Sequence, residues 1–323
     1  MTIEIINPAN GFALRPNGDA LVDSEGNRFP IVSGVPRVCE ASNYTENFGK
    51  QWNMFSGTQI DRPEHGQSQS EVRFFKATGW PRGGMAGEDV LEVGSGAGRF
   101  SRVMLERTEA RLWSVDYSSA VEANLRNNAQ WADRLNLFQA SIYELPFPDG
   151  SFDRVFCLGV LQHTPDFEAS VHALISKAKS GGEIVVDFYP VRGWWTKISA
   201  KYALRPLTKR MSHERLLKLI RGNAGWMMAA SKGLRKAKLG ALTRFLPIVD
   251  ERYAVPGGLA KEQHREWVVL DTFDMFSPEY DNPQRVETVA KMFERGGAEV
   301  TFAGFVDVGD GAQAAVVRGR KTR

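Results

Sequence analysis

Residues 89–98 do most to limit what this chain can become. Asp89-Val90-Leu91-Glu92-Val93 is a short, mostly apolar run that leads directly into Gly94-Ser95-Gly96-Ala97-Gly98. Beyond the glycines, Phe100, Val103 and Met104 recur at spacings of three and four, as on one face of a helix. A buried strand that turns through glycines into a helix opens a βαβ unit. Glycine lets the backbone turn tightly and approach a ligand with no Cβ between them. The alternation then continues. Arg111-Leu112-Trp113-Ser114-Val115 is expected as a second strand ending at Asp116, followed by a helix over Ser119–Asn128 and strands over Leu137–Ala140, Phe152–Leu158 and Glu183–Tyr189. Ser180-Gly181-Gly182 is expected to stop the intervening helix with a left-handed glycine cap. This rhythm predicts a parallel sheet of an α/β domain.

Four regions follow. Residues 1–40 carry turn signals (Asn7-Pro8, Asn10-Gly11, Asn17-Gly18, Glu25-Gly26-Asn27) between short apolar stretches and read as a small β-rich module. Residues 41–189 hold the α/β core, preceded by a polar and aromatic segment. Its Tyr44, Phe48 and Trp52 suit either the core or a lid over a bound cofactor. Residues 190–280 interrupt the rhythm with a helical insertion on the substrate side, and 281–323 complete the core with a helix at Gln284–Arg295 and strands at Glu299–Phe305 and Gln313–Val317.

The chain is formally +3, yet between Arg192 and Gly240 there are thirteen Lys or Arg and a single acid, Glu214, so the remainder is net acidic. Such a local excess fits a solvated helical surface, or contact with phosphates, an acidic partner or an anionic membrane through 192–240. Only Cys39 and Cys157 occur, which argues against a disulfide framework and fits a reducing cytoplasm. Met1–Asn10 lacks the pattern of a secretory signal, and no apolar run approaches the roughly 18–20 residues that span a bilayer. The expectation is a cytoplasmic protein, at most peripheral at the membrane.

A glycine loop alone is weak evidence, because nicotinamide enzymes use one as well. Their G-x-G-x-x-G pattern wants a third small residue where this chain has Arg99. Glu92-Val93-Gly94-Ser95-Gly96-Ala97-Gly98 instead resembles the first motif of class I S-adenosylmethionine-dependent methyltransferases. The resemblance runs on in order through Val115-Asp116-Tyr117-Ser118, Ala140-Ser141-Ile142-Tyr143-Glu144-Leu145-Pro146-Phe147, the stretch from Phe152 through Gly159 to His163, and Gly181-Gly182-Glu183-Ile184-Val185-Val186. It implies a Rossmann-like, seven-stranded sheet with helices on both faces, and S-adenosylmethionine as cofactor, leaving as S-adenosylhomocysteine. By resemblance, Gly94, Ser95, Gly96 and Gly98 admit the methionine portion, with Glu92 organising water or the ammonium. Asp116 accepts from the ribose hydroxyls, with Tyr117 beside it. Ser141 and Ile142 stand where the family often places an acid against the adenine, and Leu158, Gln162 and His163 approach the methyl-transfer face. In many bacterial relatives an N-terminal segment similar to Phe29–Arg37 carries paired cysteines that bind zinc. Here only Cys39 is nearby, so no metal is expected.

Methyl transfer requires aligning a nucleophile, and an oxygen acceptor needs a base. Candidates are His163, Tyr189, His264 and Asp187. Asp271-Thr272-Phe273-Asp274 and Ser277-Pro278-Glu279-Tyr280 resemble phrases in methyltransferases of bacterial polysaccharide and secondary-metabolite pathways. Asp271, Asp274 and Tyr280 are therefore candidate acceptor contacts, or else parts of a helix cap and turn. The acceptor expected is a small molecule or glycan, methylated on oxygen or nitrogen. A nucleic-acid methyltransferase is the alternative, weakened by the lack of an Asn-Pro-Pro-Tyr-type tetrapeptide or an RNA-binding module, and a non-catalytic cofactor-binding protein is a third possibility. Oligomeric state is not legible. Calorimetric titration is expected to show micromolar binding of S-adenosylmethionine and S-adenosylhomocysteine, lost in Asp116→Ala, and no binding of NAD.

Overall fold

All five residues of the strand Asp89–Val93 are buried, with none of the in-out alternation of a strand that has one wet face. It must therefore be covered on both sides. The structure is a computed structural model that describes residues 3–40, 43–57, 60–61, 68–251, 259–309 and 311–322. Its strands are β1 (Arg15–Asn17), β2 (Ala20–Val22), β3 (Arg28–Val32), β4 (Val35–Val38), β5 (Asp89–Val93), β6 (Arg111–Asp116), β7 (Leu135–Ala140), β8 (Phe152–Leu158), β9 (Ala178–Phe188), β10 (Ala298–Asp307) and β11 (Gln313–Lys321). Helices α1 (Glu46–Met54), α2 (Gln69–Thr78), α3 (Arg99–Arg107), α4 (Val121–Asn127) and α5 (Phe167–Lys177) precede a group formed by α6 (Ala200–Thr208), α7 (His213–Lys236) and α8 (Lys261–Phe276), and α9 (Val286–Arg295) follows.

Strand periodicity sorts the core into two layers. Leu91, Val93, Val155, Cys157, Ile184 and Val186 face α5 and α9, meeting Val171, Leu174, Val289 and Phe293. Val90, Leu112, Phe156, Val185 and Val316 face the other way, against Phe74 and Phe75 of α2 and Val103 and Met104 of α3. The result is an α/β, Rossmann-like fold with helices on both faces.

The sheet order is β1-β2-β3-β4-β7-β6-β5-β8-β9-β11-β10. Strands β7, β6, β5, β8 and β9 are parallel, while β11 enters antiparallel to both β9 and β10. Eleven strands replace the seven expected, because the N-terminal module does not stand apart. Its last strand pairs in parallel with β7 through Arg37 opposite Gln139 and Val38 opposite Ala140. That pairing covers what would otherwise be an open edge of the sheet. Arg37 reinforces the junction, donating to Gln139 at 2.8 Å and pairing with Glu122 at 3.0 Å. The expected glycine stop after α5 is also corrected. The helix ends at Lys177, and Ser180-Gly181-Gly182 lies within β9, at a register shift opposite Phe152–Arg154.

Helices α6, α7 and α8 form a cap with its own small core. Leu216, Leu217 and Ile220 of α7 pack on Val269, Leu270 and Phe273 of α8, joined by Phe55 from the segment after α1. Asp271 and Asp274 therefore stand inside a helix, not at a cap or turn.

The N-terminal strands are organised around one carboxylate. Asp23 accepts from the side-chain amides of Asn7 (2.7 Å), Asn10 (2.9 Å) and Asn27 (2.8 Å) and from the backbone N–H groups of Glu25 and Asn27. The amide oxygens of Asn7 and Asn10 accept from Ala9 N–H and Phe12 N–H, which fixes which way those side chains point. Burial alone would raise the Asp23 pKa, but the bonds from Asn27, Asn7 and Asn10 outweigh it and hold the carboxyl well below its ordinary range. Asp23→Ala is expected to lower the melting midpoint and to leave S-adenosylmethionine binding intact. Asp23→Asn should do nearly as badly, since it turns an amide donor toward three others. Because the folded pKa is depressed, the stabilisation is present above about pH 4 and disappears only in stronger acid, which melting curves against pH will show.

Candidate functional site

At the end of β5 the chain enters the left-handed region at Gly94 (φ 83°), and it returns there at Gly98 (φ 84°) on entry to α3. A Cβ at Gly94 would overlap the Val160 side chain, and one at Gly98 would overlap Asn124 and Asn128. These two glycines are thus required by packing as much as by any ligand. Between them Gly96 donates its N–H to Asp116 Oδ2 at 2.8 Å, tying the end of β5 to the end of β6. The other Asp116 oxygen accepts from Ser118 N–H (2.8 Å) and Ser118 Oγ (2.6 Å), while burial pushes the carboxyl pKa up.

Above the loop opens a cavity of about 600 Å³, within the usual range for small-molecule sites. Gly94, Ser95, Gly96, Asp116, Tyr117, Ile142 and Leu158 line one part, and His163, Tyr189, Asp271 and Asp274 line another. The sequence candidates Glu92, Gly98, Ser141, Tyr280 and His264 are not on its wall. Ser141 is buried and its hydroxyl accepts from Tyr143 N–H at 3.2 Å. His264 is turned away from the cavity, with Nε2 3.0 Å from Glu251 Oε2, and that position takes it out of the set of candidate bases. Tyr280 contributes its carbonyl, which meets His163 Nδ1 at 3.1 Å, and its ring packs edge-on against Tyr44.

That carbonyl decides the tautomer of His163. A carbonyl only accepts, so Nδ1 carries the proton and Nε2 keeps its lone pair. Nε2 stands 4.0 Å from Asp274 Oδ2, and the ring sits between Phe48 and Tyr189 at centroid distances of 5.3 and 5.5 Å. Burial lowers the His163 pKa, the neighbouring Asp274 notwithstanding. Tyr189 donates its hydroxyl to Asp274 at 3.1 Å, and burial together with Asp274 raises its pKa well above the ordinary value. Tyr189 is therefore a donor at neutral pH, not a base. Asp187 is likewise committed: it accepts from Gly159 N–H and pairs with Arg73 at 2.7 Å. Burial, then the nearby Asp274, pushes the Asp271 carboxyl up to about 7.

The cofactor implied by the sequence finds suitable partners here. Among the described residues, both polar atoms of the Gln51 side chain and the Ser95 hydroxyl are buried without a hydrogen-bond partner, and both residues face the cavity. Buried polar atoms of this kind await a ligand or water. Asp116, at the end of β6, lines the same cavity. The family profile described as "Methyltransferase domain" matches residues 91–186. The ubiquinone biosynthesis O-methyltransferase of Acinetobacter baumannii is 30% identical over 191 residues, covering 54% of this chain and 78% of that one. The demethylmenaquinone methyltransferase of Tropheryma whipplei is 26% identical over 189 residues, covering 50% and 78%. The tRNA U34 carboxymethyltransferase of Nautilia profundicola is 24% identical over 199 residues, covering 61% of this chain and only 60% of that one. This chain belongs to the class I S-adenosylmethionine-dependent methyltransferases. Its cofactor is S-adenosylmethionine.

Two parts of the methyltransferase site were not singled out in the sequence. Gln51 and Arg73 reach it from α1 and α2, which no motif marks. A polar network beneath the glycine loop is the other. Glu92 accepts from Ser114 Oγ at 2.8 Å and from Ser101 Oγ; Asn124 donates to Ser101 Oγ at 2.9 Å, and Asn128 to Gly98 O at 3.1 Å. The signal was present as two asparagines four apart, one on α4 and one at its C-cap. Glu92 thus supports the loop from behind, and burial raises its pKa to about 7 despite the serine hydroxyls. A carboxyl whose folded pKa is raised stabilises most when protonated, and that stability falls as pH rises from about 4.5 toward 7. Denaturation at several pH values is expected to show the wild type losing about 3 kcal/mol more than Glu92→Gln across that window.

Proposed function

We propose that this methyltransferase methylates a hydroxyl oxygen of a small-molecule acceptor, with His163 Nε2 as the base that removes its proton. The observation that carries this reading is the Tyr280 carbonyl on His163 Nδ1, which leaves Nε2 unprotonated beside the cavity. Because burial depresses the pKa, the imidazole is neutral at physiological pH and competent to accept a proton. As the proton arrives, Asp274 at 4.0 Å faces the new imidazolium, while the Tyr189 hydroxyl holds that carboxylate in place. Bound S-adenosylmethionine supplies an electrophilic methyl group whose leaving group is a neutral thioether. Asp271 and Asp274, on one face of α8, are suited to hold polar groups of the acceptor. Closure by the cap keeps water from the transfer path.

A cavity of about 600 Å³ favours a compact acceptor over a polymer. Relatives named for ubiquinone biosynthesis and for demethylmenaquinone support the same class. A glycan acceptor fits the two aspartates equally, and the assay should include both. With labelled S-adenosylmethionine and a panel of hydroxylated aromatics and sugars, methylated product is expected from the wild type. His163→Gln should lower kcat by about 100-fold or more with little change in cofactor affinity. The wild-type rate should hold level as pH falls to about 6.5, the ordinary imidazole value, and drop only below it. Equal rates for wild type and His163→Gln would remove the base from this reading and point to an amine acceptor.

A further inference from the structure

We propose that the cap docks on an anionic lipid surface through two adjacent turns, residues 194–198 and 239–245. The chain puts large apolar side chains at the tips of both and leaves them in water. Trp194 is 80% exposed, Phe245 54% and Leu239 51%, with Trp195, Ile198 and Leu242 also exposed. The turns lie together: Arg244 donates to the Trp195 carbonyl, and the 240–245 turn packs on both α6 and α7. Six such side chains on neighbouring turns exceed the scattered exposure of an ordinary surface. Cations flank them. Arg192 before the first turn, Lys197 within it, and Lys232, Lys236 and Lys238 before the second are all exposed. Among the described residues, none of these five pairs with an acid.

The charge decides among occupants. Five exposed cations around the two turns make this face repel a second copy of itself. Nucleic acid would answer the cations but not Ile198, Leu239 and Leu242, which have no π-face on which a base stacks. Anionic lipid answers both, with headgroups for the cations and acyl chains for the apolar tips. No helix among the described residues is long and apolar enough to cross a membrane, so the contact is interfacial.

Cosedimentation with phosphatidylcholine vesicles containing roughly 30% phosphatidylglycerol is the test, alongside pure phosphatidylcholine and a structured RNA, with brominated acyl chains to quench tryptophan at the interface. Partitioning is expected to be at least tenfold stronger on the anionic vesicles, with quenching. A Trp194→Ser, Leu242→Ser, Phe245→Ser variant should lose quenching and at least tenfold in partitioning. A Lys232→Glu, Lys236→Glu, Lys238→Glu variant should lose the anionic preference. None of these residues belongs to the site, so unchanged S-adenosylmethionine affinity shows that both variants fold. Absence of vesicle binding, or binding that neither variant weakens, overturns the proposal. So does vesicle binding without quenching that RNA matches, or self-association abolished by the serine variant.

Discussion

Strand β5 has β6 hydrogen-bonded on one side and β8 on the other, and this reversal is the constraint from which the site follows. Chain segments leaving the two sides of the reversal cannot fill the space above the strand ends, so a crevice opens at their carboxyl edges. The glycine loop forms its floor. The bond from Gly96 N–H to Asp116 keeps that floor registered with the end of β6, and the asparagine and serine network behind it holds the loop from below.

Four carboxylates around this crevice, two buried and two half-buried, are handled in different ways. Asp187 is neutralised by Arg73 and anchored by Gly159 N–H, so it acts as a post that holds the end of β8. Asp116 is met by backbone and hydroxyl donors that hold it in place. Glu92 is given only neutral hydroxyls and stays near 7, and Asp271 sits at a similar value beside Asp274. The carboxylates with strong donors are positional. The one that burial and a like charge leave near neutrality, Asp271, lines the cavity itself, where a ligand can change its environment.

The cap completes the cavity from a different direction. Its inner face supplies Lys201, Asp271 and Asp274 and places the Tyr280 carbonyl on His163, so the protonation pattern of the candidate base depends on residues more than a hundred positions away. Its outer face carries the exposed aromatics and cations. One group of helices thus lines the cavity with polar side chains and leaves a basic, apolar surface in water.

The sequence by itself determined the α/β core, the strand limits of β5 and β8, the glycine loop and Asp116, because these are local matters of periodicity, backbone freedom and strand ends. It also singled out His163, Asp271 and Asp274. It could not show that the N-terminal strands extend the sheet to eleven, since pairing with β7 depends on an edge left open a hundred residues later. Nor could it show that 180–182 bulges within a strand, because that depends on register with β8. His264, Tyr189 and Asp187 read alike as bases until their neighbours Glu251, Asp274 and Arg73 were in place. A side chain's identity is written in the chain, but its proton affinity and partners are set by groups that only folding brings within a few ångströms.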